Sequence, residues 1–277
     1  MNKIESLLEE IQAAQLEGDR FNEAQSNAKI GKLLLERNIY QDAVLYYQRA
    51  AELFGEEKRL NHQSRALNHL GICLVMLNQP DQAIEPLTQA QKLAEEDGDL
   101  SLSASAGGNL GLAFSALDDY AKAIESHKSV LKNAEQLQDL SLQLTALINL
   151  ADSNLQNKNY QSAQVFALVA LDISRSLNSL PSQILVYDLL GMIASRRQDL
   201  RSAVEYHQQA YQIALSVGDL HRQGIALANQ GLALEGLTEL KAAFQSIKQA
   251  QDIFTLLNSD YLQKTNQDLD RIKTALS

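Results

Sequence analysis

The chain has 277 residues, 45% of them hydrophobic and 21% charged, and a formal charge of -10. An acidic surface repels a phosphate backbone and an anionic bilayer, which argues against nucleic acid and membrane as partners. A single Cys excludes an intramolecular disulfide and a cysteine-based metal site, while abundant Ala, Leu, Gln and Glu with only 3 Pro form an all-helical composition.

The first residues, Met1-Asn2-Lys3-Ile4-Glu5, turn acidic before an apolar stretch develops and do not look like a signal peptide. No run of about 18 apolar residues occurs, so no transmembrane helix is expected and the cytoplasm is the expected setting. Residues 3–17 align with the second helix of a preceding half-repeat, so 1–19 read as an N-terminal half-repeat helix. From residue 20 the sequence repeats every 40 residues without insertion. Leu70-Gly71, Leu110-Gly111 and Leu190-Gly191 share one slot, with Ile30-Gly31, Leu150-Ala151 and Gln230-Gly231 completing it. Ala43, Ala83, Ala123, Ala163, Ala203 and Ala243 form a second, invariant column. Small residues in both columns let two helix axes approach closely. Each unit is therefore a helical hairpin, over roughly 20–37 and 40–55 in the first repeat. Six such repeats fill 20–259. Residues 260–277 occupy the next first-helix slot but carry Arg271 in the Gly column, and read as a polar capping helix. The expectation is about fourteen helices in a single domain over 1–277.

The turns carry their own signals. Gly18, Gly98, Asn178, Gly218 and Asn258 stand where a left-handed residue ends a helix. Asp19, Asp99, Asp139, Ser179, Asp219 and Ser259 follow as N-caps. Lys58-Arg59 breaks this pattern and predicts a turn built differently, with the preceding helix ending at Gly55. Pro86 lies inside a second helix, where a kink is expected. With Gly107-Gly108 next to it, it marks either a local pocket or tolerated drift.

Segments such as Asn109-Leu110-Gly111-Leu112-Ala113-Phe114 followed by Asp119-Tyr120-Ala121-Lys122-Ala123-Ile124 resemble a tetratricopeptide repeat. The 40-residue unit is similar to the longer variety found in kinesin light chains, Leu-Gly-Asn repeat proteins and bacterial peptide-sensing regulators. The family's Trp position holds Asn27, Leu67, Gly107, Leu147, Tyr187 and Leu227. The resemblance implies a right-handed superhelix (an α-solenoid) whose first helices line a concave groove. It also implies a scaffold, adaptor or assembly factor that binds a peptide or helix of another protein, or alternatively a peptide-gated regulator. It does not imply an enzyme, and no catalytic constellation is present.

Positions around the Gly column are the expected groove residues. Asn109, Asn149 and Asn229 recur at one position with Lys29, His69 and Leu189. A carboxamide donates and accepts, so such a series suits a peptide main chain. Lys32, Leu112, Asp152, Met192 and Leu232 follow three residues later. The apolar members of the two columns, Leu112, Leu189, Met192 and Leu232, are expected either to be exposed to a partner or to serve ordinary inter-repeat packing. A basic clamp for a carboxylate is not evident, because the second repeat sets Asn68 and Arg65 against Lys29 and Lys32 with no matching Lys. Cys73 falls in a small apolar column and reads as core. The five His have no metal-type spacing, so neither a metal nor a cofactor is expected. Self-association through a terminal repeat stays open.

Overall fold

The computed structural model describes residues 3–276, and these form fourteen α-helices with no strand. In chain order they are α1 (Lys3–Glu17), α2 (Arg20–Glu36), α3 (Tyr40–Glu56), α4 (Leu60–Met76), α5 (Pro80–Asp97), α6 (Leu100–Ala116) and α7 (Tyr120–Gln136). Then come α8 (Leu140–Gln156), α9 (Tyr160–Ser176), α10 (Leu180–Arg196), α11 (Leu200–Ser216), α12 (Leu220–Gly236), α13 (Leu240–Leu256) and α14 (Tyr261–Leu276). The chain groups into two compact units, Met1–Ala146 and Leu147–Ser277, and the division falls within α8.

In the first unit each helix packs on the next from α1 to α7, and the first helices α4 and α6 also touch. Its core runs through Ile30, Tyr47, Phe54, Leu70, Leu87 and Leu110. In the second unit the same pattern links α9 through α14, with α10 beside α12 and α12 beside α14. Leu269 and Ile272 of α14 are buried with Leu234 and Ile247. Arg271, in the slot held elsewhere by Gly, forks onto Glu235 at 2.8 and 2.7 Å and reaches Asp268 at 2.7 Å.

The turns are more uniform than the sequence suggested. Every twentieth residue from Gly18 to Asn258 has a left-handed backbone, and ten of these thirteen residues are not glycine. The residue after each one donates its N–H to the carbonyl five positions back, as in Ile39 to Leu34 at 2.9 Å and Asp119 to Phe114 at 3.0 Å. This closes the exposed carbonyl end of the helix. Lys58 is no exception: α3 continues through Gly55 to Glu56, Lys58 takes φ 53, and Arg59 N–H bonds to Phe54 at 2.9 Å. Pairing of backbone groups at the helix end outweighs the weak preference of Lys against this conformation. Asp19, Asp99, Asp119, Asp199 and Asp219 each accept the N–H of the residue three ahead.

Thr238 is the β-branched member of the left-handed set, at φ 63. Cβ crowding costs an L-residue roughly 1–2 kcal/mol there, and Asn tolerates the region better. Thr238→Asn is therefore expected to stabilise the protein by about 1 kcal/mol, read as a higher denaturant midpoint. An unchanged midpoint would mean that the turn holds Thr at no cost.

Where paired helices cross, size is traded across the interface. A Cβ on Gly31 would meet the Tyr47 ring at 3.1 Å, one on Gly71 would meet Leu87 at 2.3 Å, and one on Gly111 would meet His127 at 2.4 Å. In the second unit Gly191 faces His207 and Gly231 faces Ile247 in the same way. At the equivalent pair the chain carries Ala151 and Ala167, both fully buried. Pro86 leaves α5 unbroken from Pro80 to Asp97. Gly107 is approached by Gln91 and Val130, each 3.3 Å from where its Cβ would stand, whereas Gly108 faces open space.

Candidate functional site

In the first unit two helical stripes of identical spacing line one cavity of about 350 Å³. α2 contributes Gln25, Ala28, Lys29 and Lys32, and α4 contributes His62, Arg65, Ala66 and His69. Spacings of three, one and three residues keep each set on a single helix face. α3 supplies the remaining lining residues, Tyr47 and Phe54. Tyr47 stacks on His69 with centroids 5.1 Å apart, and Phe54 lies 5.0 Å from His62. Phe21 meets His62 edge-on at 5.4 Å and carries Arg59 over its face at 5.1 Å.

The cations at this cavity are weakly neutralised. Lys29 is 3.9 Å from Glu10 and Lys32 is 4.0 Å from Glu36, both at exposed side chains. Such pairs contribute little in water and leave each ammonium free to exchange its partner. Arg65 is held more firmly, donating to Asn61 at 2.7 Å and to Asp99 at 3.2 Å. Hydrogen bonds from the Leu102 N–H and Asn61, together with the Arg65 charge, hold the Asp99 carboxyl below its usual range. His69 Nδ1 lies 2.7 Å from the Arg65 carbonyl, which can only accept, so that nitrogen carries the proton. The Tyr47 hydroxyl is buried without a partner, and burial, with Cys73 and Glu36 adding, pushes its pKa well above the ordinary tyrosine value. An aromatic surface flanked by three cations suits a ligand with an apolar part and an anionic group.

The structure brings Lys29, Lys32 and His69 of the expected groove set together at this cavity, and the other members of that set are not among its lining residues. Asn109 donates to Asn68 at 2.9 Å, and Asn68 donates to Ser105 at 3.1 Å. The Asn109 amide is thus engaged between α6 and α4. Leu112 is 48% exposed on α6. In the second unit Asn149 and Asn229 are partly buried, and Asp152 accepts from Gln156 at 3.3 Å. Met192 is exposed. The expectation of an exposed Leu189 fails, because its side chain is 4% exposed and packed into the core. Leu232 is likewise partly buried against the core of α13 and α14. Cys73 is fully buried, and burial pushes its thiol up to about 11, so it stays protonated and unreactive.

Tyr47, Phe54 and His62 are among the lining residues that reading along the Gly column missed. Two lie on a second helix, and none falls in an expected groove column. The signal available was the repeated spacing of Gln25-Ala28-Lys29-Lys32 in His62-Arg65-Ala66-His69.

No protein-family model matches the chain, and no curated protein matches it in sequence. Solved structures do match in fold. BtubC (BKLC) from P. vanneervenii superposes with a TM-score of 0.67 at 19% identity, covering 81% of this chain and 92% of its own. Aspartyl phosphate phosphatase F from Bacillus subtilis gives 0.67 at 16% identity, covering 95% and 72%. The kinesin light chain TPR-like repeats from Podosopora anserina give 0.60 at 16% identity, covering 70% and 96%. The fold is that of tetratricopeptide-type repeat proteins, as the sequence resemblance implied.

Proposed function

We propose that this chain, with its tetratricopeptide fold, is an interaction scaffold that docks an acidic peptide segment of a partner protein in the cavity between α2 and α4. The observation that carries the reading is the set Lys29, Lys32 and Arg65 around an aromatic surface on an otherwise acidic half of the chain. An apolar side chain of the segment rests on Tyr47, Phe54 and the two imidazoles, while its carboxylates replace Glu10 and Glu36 as partners of the lysines. The same contacts serve a rigid adaptor or assembly factor and a peptide-gated regulator. No described helix is long and apolar enough to cross a membrane, and a cytoplasmic partner is part of the proposal. Similarity to a protein named as a phosphatase carries no activity over at this level of identity.

The test is selection from a random-peptide display library on the immobilised protein. Enriched sequences should combine Asp or Glu with an aromatic or aliphatic residue. Lys29→Glu/Lys32→Glu should weaken their binding by at least about ten-fold, since charge-assisted contacts are lost and repulsion is added. Peptides that bind the variant as well as the parent would place docking elsewhere.

A further inference from the structure

The outward face of α9 departs from its counterparts. Val165, Leu168 and Val169 are 55%, 41% and 44% exposed and share one helix face. At the position of Val165 the other repeats carry Leu45, Glu85, Glu125, Glu205 and Gln245. At Leu168 they carry Gln48, Thr88, Lys128, Gln208 and Lys248, and at Val169 they carry Arg49, Gln89, Ser129, Gln209 and Gln249. One polar surface out of six has thus become apolar. It adjoins a groove of about 610 Å³ within the second unit, lined by Leu168 and Arg175 of α9, Tyr187 of α10, and Val204 and Glu205 of α11. Contiguous apolar surface of this kind marks a contact with another macromolecule.

The charges select the occupant. Arg175 stands on the α9 side, oriented by a 2.7 Å bond to the Tyr187 hydroxyl, and Glu205 stands on the α11 side with no ion pair among the described residues. Among the described residues Arg175 has only the exposed Asp172 carboxylate as ionic partner, at 3.8 Å, a pair that water weakens. A groove with a cation on one side and a carboxylate on the other is thus complementary to itself under a two-fold rotation. The distribution along the chain agrees. Residues 147–277 hold 12 acidic and 11 basic side chains, whereas residues 1–146 hold 22 and 13. Two copies meeting through the second unit bring together nearly neutral surfaces, while a meeting through the first would oppose charges of one sign.

We propose that this groove is the contact between two copies of the chain, joined as a two-fold dimer. Val165, Leu168 and Val169 of each copy pack against the other, and Arg175 of one copy meets Glu205 of the other. The surface is separate from the α2–α4 cavity, so the dimer and the peptide site stand or fall independently.

Sedimentation velocity of the full chain, from micromolar to hundred-micromolar concentration, is the test. The parent should sediment as a dimer at the upper end. V165E/L168K/V169Q, built from residues that sister repeats carry at these positions, should be monomeric while keeping its helical content and melting temperature. R175E should weaken the dimer by about ten-fold or more through like-charge repulsion, and R175E/E205R should restore it. A parent that stays monomeric throughout overturns the proposal, including the case in which the groove takes a different protein. So does a dimer that survives the triple substitution, or a charge swap that fails to restore association.

Discussion

Gly71→Ala is expected to destabilise the protein by about 2–3 kcal/mol, a large effect for one methyl group. Its Cβ would lie 2.3 Å from Leu87 Cγ and 2.4 Å from Cδ2. Leu87 is fully buried in the core, so either its side chain is forced off its rotamer or α4 and α5 move apart. Leu87→Ala by itself should cost about 2–5 kcal/mol through lost contacts and a cavity. The double variant should cost less than the sum by about 1–3 kcal/mol, because the methyl added on one helix occupies space vacated on the other. The chain already contains that solution at Ala151 and Ala167. Denaturant unfolding of the parent, both single variants and the double variant completes the cycle. Strict additivity would refute size exchange as the reason for the Gly column.

Acidification from pH 6.5 to 4 should remove about 3 kcal/mol of stability through His127 alone. Its side chain is 1% exposed and its Nδ1 has no partner. Burial pushes the imidazole down from 6.5 to about 4. The unfolded chain takes up this proton near pH 6.5, while the folded chain refuses it until about pH 4. Between these values the unfolded state binds more protons, so the stability is complete above pH 6.5 and is lost as pH falls. His127→Leu introduces the residue found at the equivalent Leu87 and removes both the titration and the unpaired nitrogen. Carboxylates add their own pH dependence on acidification, among them Glu235, which the hydrogen bonds and charge of Arg271 hold below its usual value. The measurement is therefore the difference in stability between the variant and the parent across pH. That difference should grow in favour of the variant as pH falls, and a constant difference would show that His127 does not titrate on unfolding.

The sequence by itself determined the elements and their repetition. Helix ends depend on local chemistry, an Asp that caps an N–H three residues ahead or a residue that accepts a left-handed backbone, and those signals recur every twenty residues. The small columns fixed which helix faces cross, because close approach of two backbones excludes large side chains on one side. Lys58 was misread because the tertiary context imposes the same turn on a residue with little preference for it.

The candidate site was decided by the tertiary structure. Columns at 40 residues identify equivalent positions, whereas contact joins one flank of a helix to the opposite flank of its neighbour. Cross-repeat bonds accordingly separate residues by 37 for Asn68 with Ser105, by 38 for Asn61 with Asp99 and by 41 for Asn109 with Asn68. The column of groove positions therefore mixed Lys29, which lines the cavity, with Asn109, whose amide is held by α4, and Leu189, which is core. Arg65 and Tyr47 join Lys29 only because α2, α3 and α4 pack together, a relation of three helix surfaces that no single repeat encodes.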